Sequence, residues 1–197
     1  MPGWTRYTGK IAVLNQHDVD TDRIIPARFL SMVTRSGYGE LLFSDVRSAE
    51  FPLDQPEAKG ASILVAGSNF GCGSSREHAV WAIQQAGFEV VIGKRTESMA
   101  GFSDIFRQNA ANCALLLIEL DAEAFDALAQ QGSGAEVTVD LESEVVIAQA
   151  MRLPFTLDPA LKAQFIKGLD LIGSTLEYAE SIDRYESHSK LFVPPRV

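Results

Sequence analysis

Two patterns of apolar and polar positions alternate along the middle of the chain. Near-continuous apolar runs, typical of strands buried on both faces, lie at 62–66, 88–92 and 114–118. Between them, apolar side chains recur at helical spacing in 77–86, which ends before the helix stop signal Gly87, and in 99–110. This alternation predicts an α/β fold whose parallel or mixed sheet is covered on both sides.

Further elements are predicted on either side of this centre. In chain order they are a strand at 9–15, a helix at 121–131, an antiparallel hairpin of 137–139 and 145–147, a strand at 155–157, a helix that begins at Pro159 and a last helix at about 172–185. The Pro-rich, polar stretch near 44–60 is interpreted as a connector. Residues 169–197 are interpreted as a helical arm and tail of one domain that spans 1–197.

Composition and charge narrow the function classes. The chain has 197 residues, 46% of them hydrophobic, and a mean hydropathy of +0.03, which suits a single globular domain. Its net charge of -9 and pI near 4.8 argue against general nucleic-acid binding, which needs a basic surface, but allow a local cationic pocket for an acidic substrate. No apolar run is long enough to span a bilayer, and the first residues lack the apolar core of a signal peptide, so we expect a cytoplasmic protein.

The segment Gly67–Ala79 (GSNFGCGSSREHA) joins the first buried run to the first helix. Its three glycines suit a backbone that turns sharply and lies close to a ligand. Ser74 or Ser75 stands where a helix N-cap is expected, and Glu77 follows Ser74 at capping-box spacing. The free N–H groups of the first helical turn, together with the charge of Arg76, predict an anion site. An ordinary strand-to-helix turn remains the alternative interpretation, because such loops are common.

No metal site is predicted from the cysteines, histidines and aspartates. Two cysteines, Cys72 and Cys113, are too few for the usual ligand set of an iron–sulfur cluster. Cys72 is interpreted as a small turn residue and Cys113 as part of the core. The Asp-rich stretch 18–22 lacks the glycine and the distal glutamate of an EF-hand, and we expect it to cap the next element. The three histidines share no metal-ligand spacing.

Two motifs give the sequence a family resemblance. GCGSSREHA at 71–79 resembles the Gly-x-Gly-Ser-Ser-Arg-Glu-His-Ala segment of the aconitase superfamily. DVDTDRIIPARFL at 18–30 resembles an early segment of the small subunits of 3-isopropylmalate dehydratase within that superfamily. The similarity continues at 34–39, 42–43 and 168–173 and so covers most of the chain. It implies an α/β fold of the swivelling β/β/α type, as in the mobile C-terminal domain of aconitases.

The resemblance also implies a reaction and its residues. The family removes and adds back water, converting 2-isopropylmalate to 3-isopropylmalate through 2-isopropylmaleate in leucine biosynthesis. Ser74 matches the family's catalytic serine base, and Ser75 and Arg76 match groups that bind the substrate carboxylate. Arg35 matches a further carboxylate-binding arginine, one residue out of register with aconitase. A solvent-exposed surface arginine is the alternative interpretation of Arg35.

Supporting roles are implied for five more residues. Thr21 and Asp22 match the Thr-Asp pair that borders the active site, where Asp22 is expected to orient a catalytic group of the partner. Gly71 and Gly73 support the turn. His78 either touches a substrate oxygen or packs against its neighbours, and packing is the favoured interpretation. The apolar residues Leu30, Met32 and Val33 suit an isopropyl group, or equally a core.

The resemblance implies a partner as well. Members of the superfamily use a [4Fe–4S] cluster, so we expect the cluster on a large subunit, in a heterodimer or heterotetramer, and a chain that is inactive alone. The apolar tail at 191–197 is expected to pack on that partner. One alternative is the small subunit of a related hydro-lyase that acts on homoaconitate or methylmalate. Another is a non-catalytic anion- or nucleotide-binding module, although neither a P-loop nor a dinucleotide fingerprint is present. RNA binding is disfavoured by the acidic charge.

Overall fold

Seven strands form a single sheet in the computed structural model, which describes residues 3–32, 34–169 and 171–188. They are β1 (Arg6–Val13), β2 (Ile63–Val65), β3 (Val90–Arg95), β4 (Leu116–Asp121), β5 (Glu136–Asp140), β6 (Val145–Ala148) and β7 (Met151–Pro154). Their order is β4-β3-β2-β1-β5-β6-β7. Strands β1 to β4 pair in parallel, and β1, β5, β6 and β7 pair antiparallel. The predicted mixed sheet and the predicted hairpin are both confirmed.

Seven α-helices accompany the sheet within the described ranges. They are α1 (Thr21–Ile24), α2 (Glu77–Gln85), α3 (Asp104–Asn112), α4 (Ala122–Ala129), α5 (Pro159–Lys167), α6 (Leu171–Leu176) and α7 (Ala179–His188). Short 3₁₀ turns lie at Ala27–Phe29, Gly39–Leu41, Pro52–Asp54 and Pro56–Ala58. The predicted helices at 77–86, at 121–131 and from Pro159 are confirmed as α2, α4 and α5. None of these helices is long and apolar enough to cross a membrane.

The buried strands read as continuous apolar runs because both faces of the sheet are covered. In β2, Leu64 packs into a cluster with the residues of α2 and α3, while Ile63 and Val65 pack into a second cluster with α4 and α5. In the neighbouring strand β3, alternate side chains pack into the same two clusters, and Val91 belongs to the first of them. Since successive strand residues face opposite ways, a strand between two helical layers needs apolar side chains at every position.

Several predicted bounds are wrong by a few residues. The helix expected at 99–110 begins at Asp104, because the main chain before it is hydrogen-bonded to the loop after β2. The N–H groups of Asn69 and Phe70 donate to the carbonyl oxygens of Ala100 and Gly101, both at 2.9 Å. Ser103 then caps α3 by accepting from the Phe106 N–H.

Other corrections concern strand starts and the C-terminal third. Strand β4 begins at Leu116 and not at 114, because Ala114 adopts a positive φ of 56°. The predicted strand 155–157 is wrong, since β7 ends at Pro154 and Phe155 instead donates its N–H to the Glu144 carbonyl. The predicted last helix is two helices, α6 and α7, and every side chain of α7 is exposed.

The connector near 44–60 covers part of the core. It contains two of the 3₁₀ turns, and Phe51 and Ala58 within it are buried. The ring of Phe51 lies 5.5 Å from that of Phe43. Residues 191–197, for which packing on a partner was expected, lie outside the described ranges, as do Val33 and Asp170.

Candidate active site

Two segments that are far apart in sequence lie side by side where β1 and β2 end. Residues 16–21 follow β1 and residues 67–74 follow β2, and because these strands are parallel neighbours both segments leave the same edge of the sheet. Four main-chain hydrogen bonds join them, donated by Gly67 to Gln16 (3.1 Å), Asp18 to Ser68 (3.0 Å), Gly71 to Val19 (2.7 Å) and Thr21 to Cys72 (2.9 Å). The two sequence motifs therefore form one surface.

Side chains strengthen this pairing. The buried Thr21 donates from Oγ1 to the carbonyl oxygen of Ser74 at 2.9 Å. Asn69 Nδ2 donates to Asp18 Oδ1 at 2.8 Å. As expected of the Asp-rich stretch, Asp20 caps α1 by accepting from the Arg23 N–H at 2.7 Å. Thr21 thus supports the site by fixing the backbone of Ser74.

The two predicted glycines of the turn serve different purposes. Gly71 has a φ of +74°, and a Cβ there would lie 2.2 Å from the Phe106 ring, so the loop lies directly against α3. Gly73 has a φ of +89° but a Cβ there would meet atoms of Asp20 and Thr21 no closer than 3.5 Å. Gly71 is required for both conformation and space, whereas Gly73 is required for conformation alone.

The expected serine cap of α2 is wrong. The N-cap residue is Arg76, with extended backbone (φ -137°, ψ 104°), and no side chain caps the helix among the described residues. Ser74 and Ser75 remain in the loop because Thr21 holds the Ser74 carbonyl. Among the described residues, the N–H groups of the first turn of α2 consequently have no side-chain acceptor, and anion binding there stays a prediction.

The two serine side chains have different surroundings. Both are exposed. Within the described ranges nothing hydrogen-bonds to the Ser74 hydroxyl, whereas Ser75 Oγ accepts a hydrogen bond from Asn109 Nδ2 at 3.3 Å. Ser74 is thereby free to meet a ligand, and Ser75 is held by α3.

Arg76 and Asp22 form an ion pair within this chain. The Arg76 side chain is only 12% exposed, and its Nη1 also lies 3.4 Å from the Ile25 carbonyl oxygen, to which it donates. The hydrogen bond from Arg76 holds the pKa of the Asp22 carboxyl below its ordinary value. Asp22 is 57% exposed, so this ion pair sits at the solvent-facing side of an otherwise buried guanidinium.

Arg35 lies beside α2 and makes no hydrogen bond or ion pair with Ser74 or Arg76. Its guanidinium lies 4.9 Å from the Trp81 ring centre, and its carbonyl oxygen accepts from Gln85 Nε2 at 2.7 Å. Its side chain is exposed and makes no ion pair with the described residues. A carboxylate-binding role for Arg35 stays a prediction.

His78 is in a packed position. Its ring is half-buried and lies 4.7 Å from the ring of Trp81 and 5.4 Å from that of Tyr38. These contacts fit the packing interpretation. Of the two apolar loop residues that are described, Leu30 is half-buried and Met32 is exposed.

Both cysteines have free thiols and neither joins a metal-binding cluster. Burial raises the pKa of the Cys72 thiol, and the nearby Asp20 and Asp18 raise it further. Burial, followed by the hydrogen bond to Glu77, raises the pKa of Cys113 to about 12. In the described part of the chain, no three His, Cys, Asp or Glu residues are grouped so that they would hold a metal ion.

Sequence reasoning missed the contribution of α3. Ser103 Oγ donates to the Gly71 carbonyl at 2.6 Å, and Asn109 contacts Ser75. Neither residue belongs to a motif, and the prediction placed Ser103 inside a helix. The Ser-Asp pair at 103–104 is itself a helix-start signal that would have located the cap.

Comparisons with known proteins agree on one family. Residues 1–123 match the aconitase C-terminal domain family. The chain is 43% identical to the 3-isopropylmalate dehydratase small subunit of Kocuria rhizophila, covering 98% of this chain and 96% of that protein. It is also 43% identical to the small subunit of the same name from Streptomyces coelicolor, covering 100% of this chain and 99% of that protein.

A solved structure shows the same fold. The crystal structure of a 3-isopropylmalate dehydratase from Methanocaldococcus jannaschii is similar to this chain with a TM-score of 0.66 and 28% sequence identity. The match covers 92% of this chain and 99% of the other.

Proposed function

The chain belongs to the aconitase C-terminal domain family and to its 3-isopropylmalate dehydratase small subunits, and on this premise we propose that it supplies half of an active site that interconverts 2-isopropylmalate and 3-isopropylmalate. The observation that carries the proposal is the junction of the two motifs, which places Thr21 and Asp22 against Ser74 and Arg76 beside the uncapped start of α2. A large subunit completes the enzyme, as a heterodimer or heterotetramer located in the cytoplasm.

The chemistry needs a base and a carboxylate clamp. A proton leaves the carbon next to a carboxylate, a hydroxyl group leaves the neighbouring carbon, and water then adds back in the opposite sense. We assign the proton to Ser74 Oγ, which is exposed and unpaired within the described ranges. A serine oxygen is a base only where its negative charge is stabilised, and we assign that stabilisation to the first-turn N–H groups of α2, which no described side chain caps, and to the charge of Arg76.

Arg76 and Ser75 are assigned to the substrate carboxylate. A guanidinium makes two parallel hydrogen bonds to a carboxylate, which a lysine does not reproduce. Arg76 is already ordered by Asp22 and Ile25, so little side-chain entropy is lost when the substrate binds. We therefore propose that Asp22 orients Arg76 within this chain; its expected role toward a catalytic group of the partner stays a prediction.

The iron–sulfur cluster implied by the family does not fit this chain. The whole sequence has two cysteines, Cys72 and Cys113, and they lie in different surroundings, beside Asp20 and Glu77 respectively. We therefore propose that the large subunit holds the [4Fe–4S] cluster, which would assist departure of the hydroxyl group as a Lewis acid. The residues of this chain act on the proton and the carboxylate.

A branched-alkyl substrate is favoured over a tricarboxylate. Of the two arginines near the apolar loop, Arg28 is neutralised by Asp45 and Arg35 is stacked on Trp81. Arg76 and, as predicted, Arg35 would then meet the two carboxylates of isopropylmalate, and among the described residues of this loop no further cation is left for the additional carboxylate of homoaconitate. The relatives' names point the same way.

The test is isomerase activity on 3-isopropylmalate under anaerobic conditions, followed through the unsaturated intermediate. The chain is assayed alone and with a cluster-loaded large subunit. Activity confined to the mixture is expected. Activity of the chain alone contradicts the shared site, and a complex that turns over only homoaconitate or methylmalate contradicts the substrate assignment.

A further inference from the structure

One face of α3 supports the catalytic loop at three points. Ser103, Phe106 and Asn109 are spaced three residues apart and so lie along the same side of the helix. Ser103 holds the Gly71 carbonyl, the Phe106 ring fills the space where Gly71 lacks a side chain, and Asn109 reaches Ser75. The first two contacts fix the main chain at Gly71, while the third ties Ser75 to α3 through a hydroxyl group of the site.

The contact between Asn109 and Ser75 has a direction. An amide nitrogen only donates hydrogen bonds, so the Ser75 oxygen accepts from Asn109 Nδ2. The Ser75 hydroxyl hydrogen is then free to point away from α3, toward the exposed side of the loop. A hydroxyl held in this way has its hydrogen available to whatever binds there, which suits an anion.

We propose that Asn109 is a positioning residue that holds the Ser75 oxygen so that the Ser75 hydroxyl donates its hydrogen to the substrate carboxylate. This inference rests on the proposed function, and it assigns a role that lies outside both motifs. Asn109 does not touch the substrate; it acts through Ser75. Because its amide is half-buried against the loop, replacement by a carboxylate would reverse the direction of the hydrogen bond and add a negative charge behind the anion site.

The experiment compares Asn109→Ala, Asn109→Asp and a matched control, Gln108→Glu, each assembled with the large subunit. Gln108 is the residue before Asn109 on α3, is exposed, and makes no side-chain hydrogen bond to the described residues, so Gln108→Glu adds the same charge without the same hydrogen bond. Loss of one donor in Asn109→Ala is expected to raise KM about fivefold. Reversal of the hydrogen bond in Asn109→Asp is expected to raise KM by about fiftyfold or more, whereas Gln108→Glu is expected to raise KM by less than about twofold.

A second readout separates the inference from the proposed function. Amide hydrogen exchange of residues 73–76 is measured in the complexes of wild type and variants. Faster amide exchange confined to these residues is expected in both Asn109 variants. In the Gln108→Glu variant their exchange is expected to be unchanged. Unchanged exchange together with an unchanged KM in Asn109→Asp overturns the positioning role.

Failure of the proposed function would look different. If the wild-type complex turns over none of the three dicarboxylate and tricarboxylate substrates, the assigned reaction is wrong, and the exchange measurement alone decides whether Asn109 orders Ser75. If wild type is active and Asn109→Asp lowers both kcat and the free energy of unfolding with no change in KM, Asn109 has only a structural role and the proposal fails.

Discussion

The hydroxyl of Thr21 donates a hydrogen bond of 2.9 Å to the carbonyl oxygen of Ser74, 53 residues further along the chain. Through this contact, the backbone position of the proposed base depends on a residue of the other motif. The Thr21 side chain is buried, so a valine in its place would present an apolar group to the Ser74 carbonyl where its donor had been. The geometry of Ser74 therefore depends on a residue with no chemical role of its own.

Replacing Thr21 by valine is expected to destabilise the protein by about 1–3 kcal/mol, because the Ser74 carbonyl loses its partner. Urea unfolding measures the free energy, and kcat of the assembled enzyme should fall as well. Thr8→Val is the control, since Thr8 pairs with Thr138 through an exposed hydroxyl contact at 2.8 Å. Equal losses for the two variants would show that the Thr21 contact has no special importance.

Gly71→Ala is expected to be far more costly than Gly60→Ala. The two glycines have nearly equal φ values of +74° and +75°, but a Cβ meets Phe106 at Gly71 and nothing within 4 Å at Gly60. Gly60→Ala should cost about 1–2 kcal/mol for the left-handed backbone alone. The steric overlap at Gly71 should add a further loss of about 1–3 kcal/mol. Thermal unfolding of both variants tests this, and similar melting temperatures would contradict it.

Ser74→Ala is expected to reduce kcat by at least about 10²-fold while leaving folding and subunit association intact, since the hydroxyl is exposed. Arg76→Lys should mainly raise KM, because the two-point contact with the carboxylate is lost. Steady-state kinetics with saturating large subunit separate the two effects. Near-wild-type turnover in Ser74→Ala would remove Ser74 as the base.

Asp140 should make folding stability depend on pH. It accepts hydrogen bonds from the Ser143 N–H at 3.0 Å and from Arg6 at 2.6 Å, and these lower its pKa from 3.8 to about 2. Since the pKa is lower in the folded chain, the stabilisation is complete above pH 3.8 and is lost as the pH falls toward about 2.

Asp140→Asn should therefore cost about 1 kcal/mol at neutral pH, the size of an ordinary hydrogen bond, and nothing near pH 2. Denaturant unfolding across this range measures the difference from wild type. Glu142→Gln, at an exposed neighbouring position, is the control for removal of a carboxylate that lacks these hydrogen bonds. A constant difference between wild type and Asp140→Asn at every pH would contradict the assignment.

The two thiols should react slowly with iodoacetamide at pH 8, and Cys113 more slowly than Cys72. Burial raises both pKa values, that of Cys113 to about 12 with a contribution from Glu77. Glu77→Gln should accelerate labelling of Cys113 without bringing it to the rate of a solvent-exposed thiol, because burial is the larger cause of the raised pKa. Mass spectrometry of each cysteine follows the reaction. Labelling of Cys113 before Cys72 would disagree with these surroundings.

Local patterns predicted the elements better than their junctions. The apolar runs located β2, β3 and β4, and the Gly87 signal placed the end of α2 to within a residue. The cap of α2 and the start of α3 were wrong, and both errors have one cause. The main chain around Ser74 and around residues 100–101 is held by tertiary hydrogen bonds, which a linear pattern does not contain.

In the candidate site, too, the residues of the motifs could be found from the sequence and the contacts of α3 could not. Ser74 and Arg76 were identified through a resemblance to a family, and the structure brings them beside Thr21 and Asp22, as the motifs implied. Asn109 was missed, because its spacing on α3 acquires meaning only when the helix is placed against the loop.

The position of β1 in the sheet has a consequence for protein synthesis. β1 is translated first, yet it lies between β2 and β5, and β5 begins at Glu136. A nascent chain shorter than this keeps one edge of its central strand unpaired, and such edges recruit other chains. We expect ribosome pauses or truncations before Glu136 to yield aggregates, and final folding to await the second half of the polypeptide.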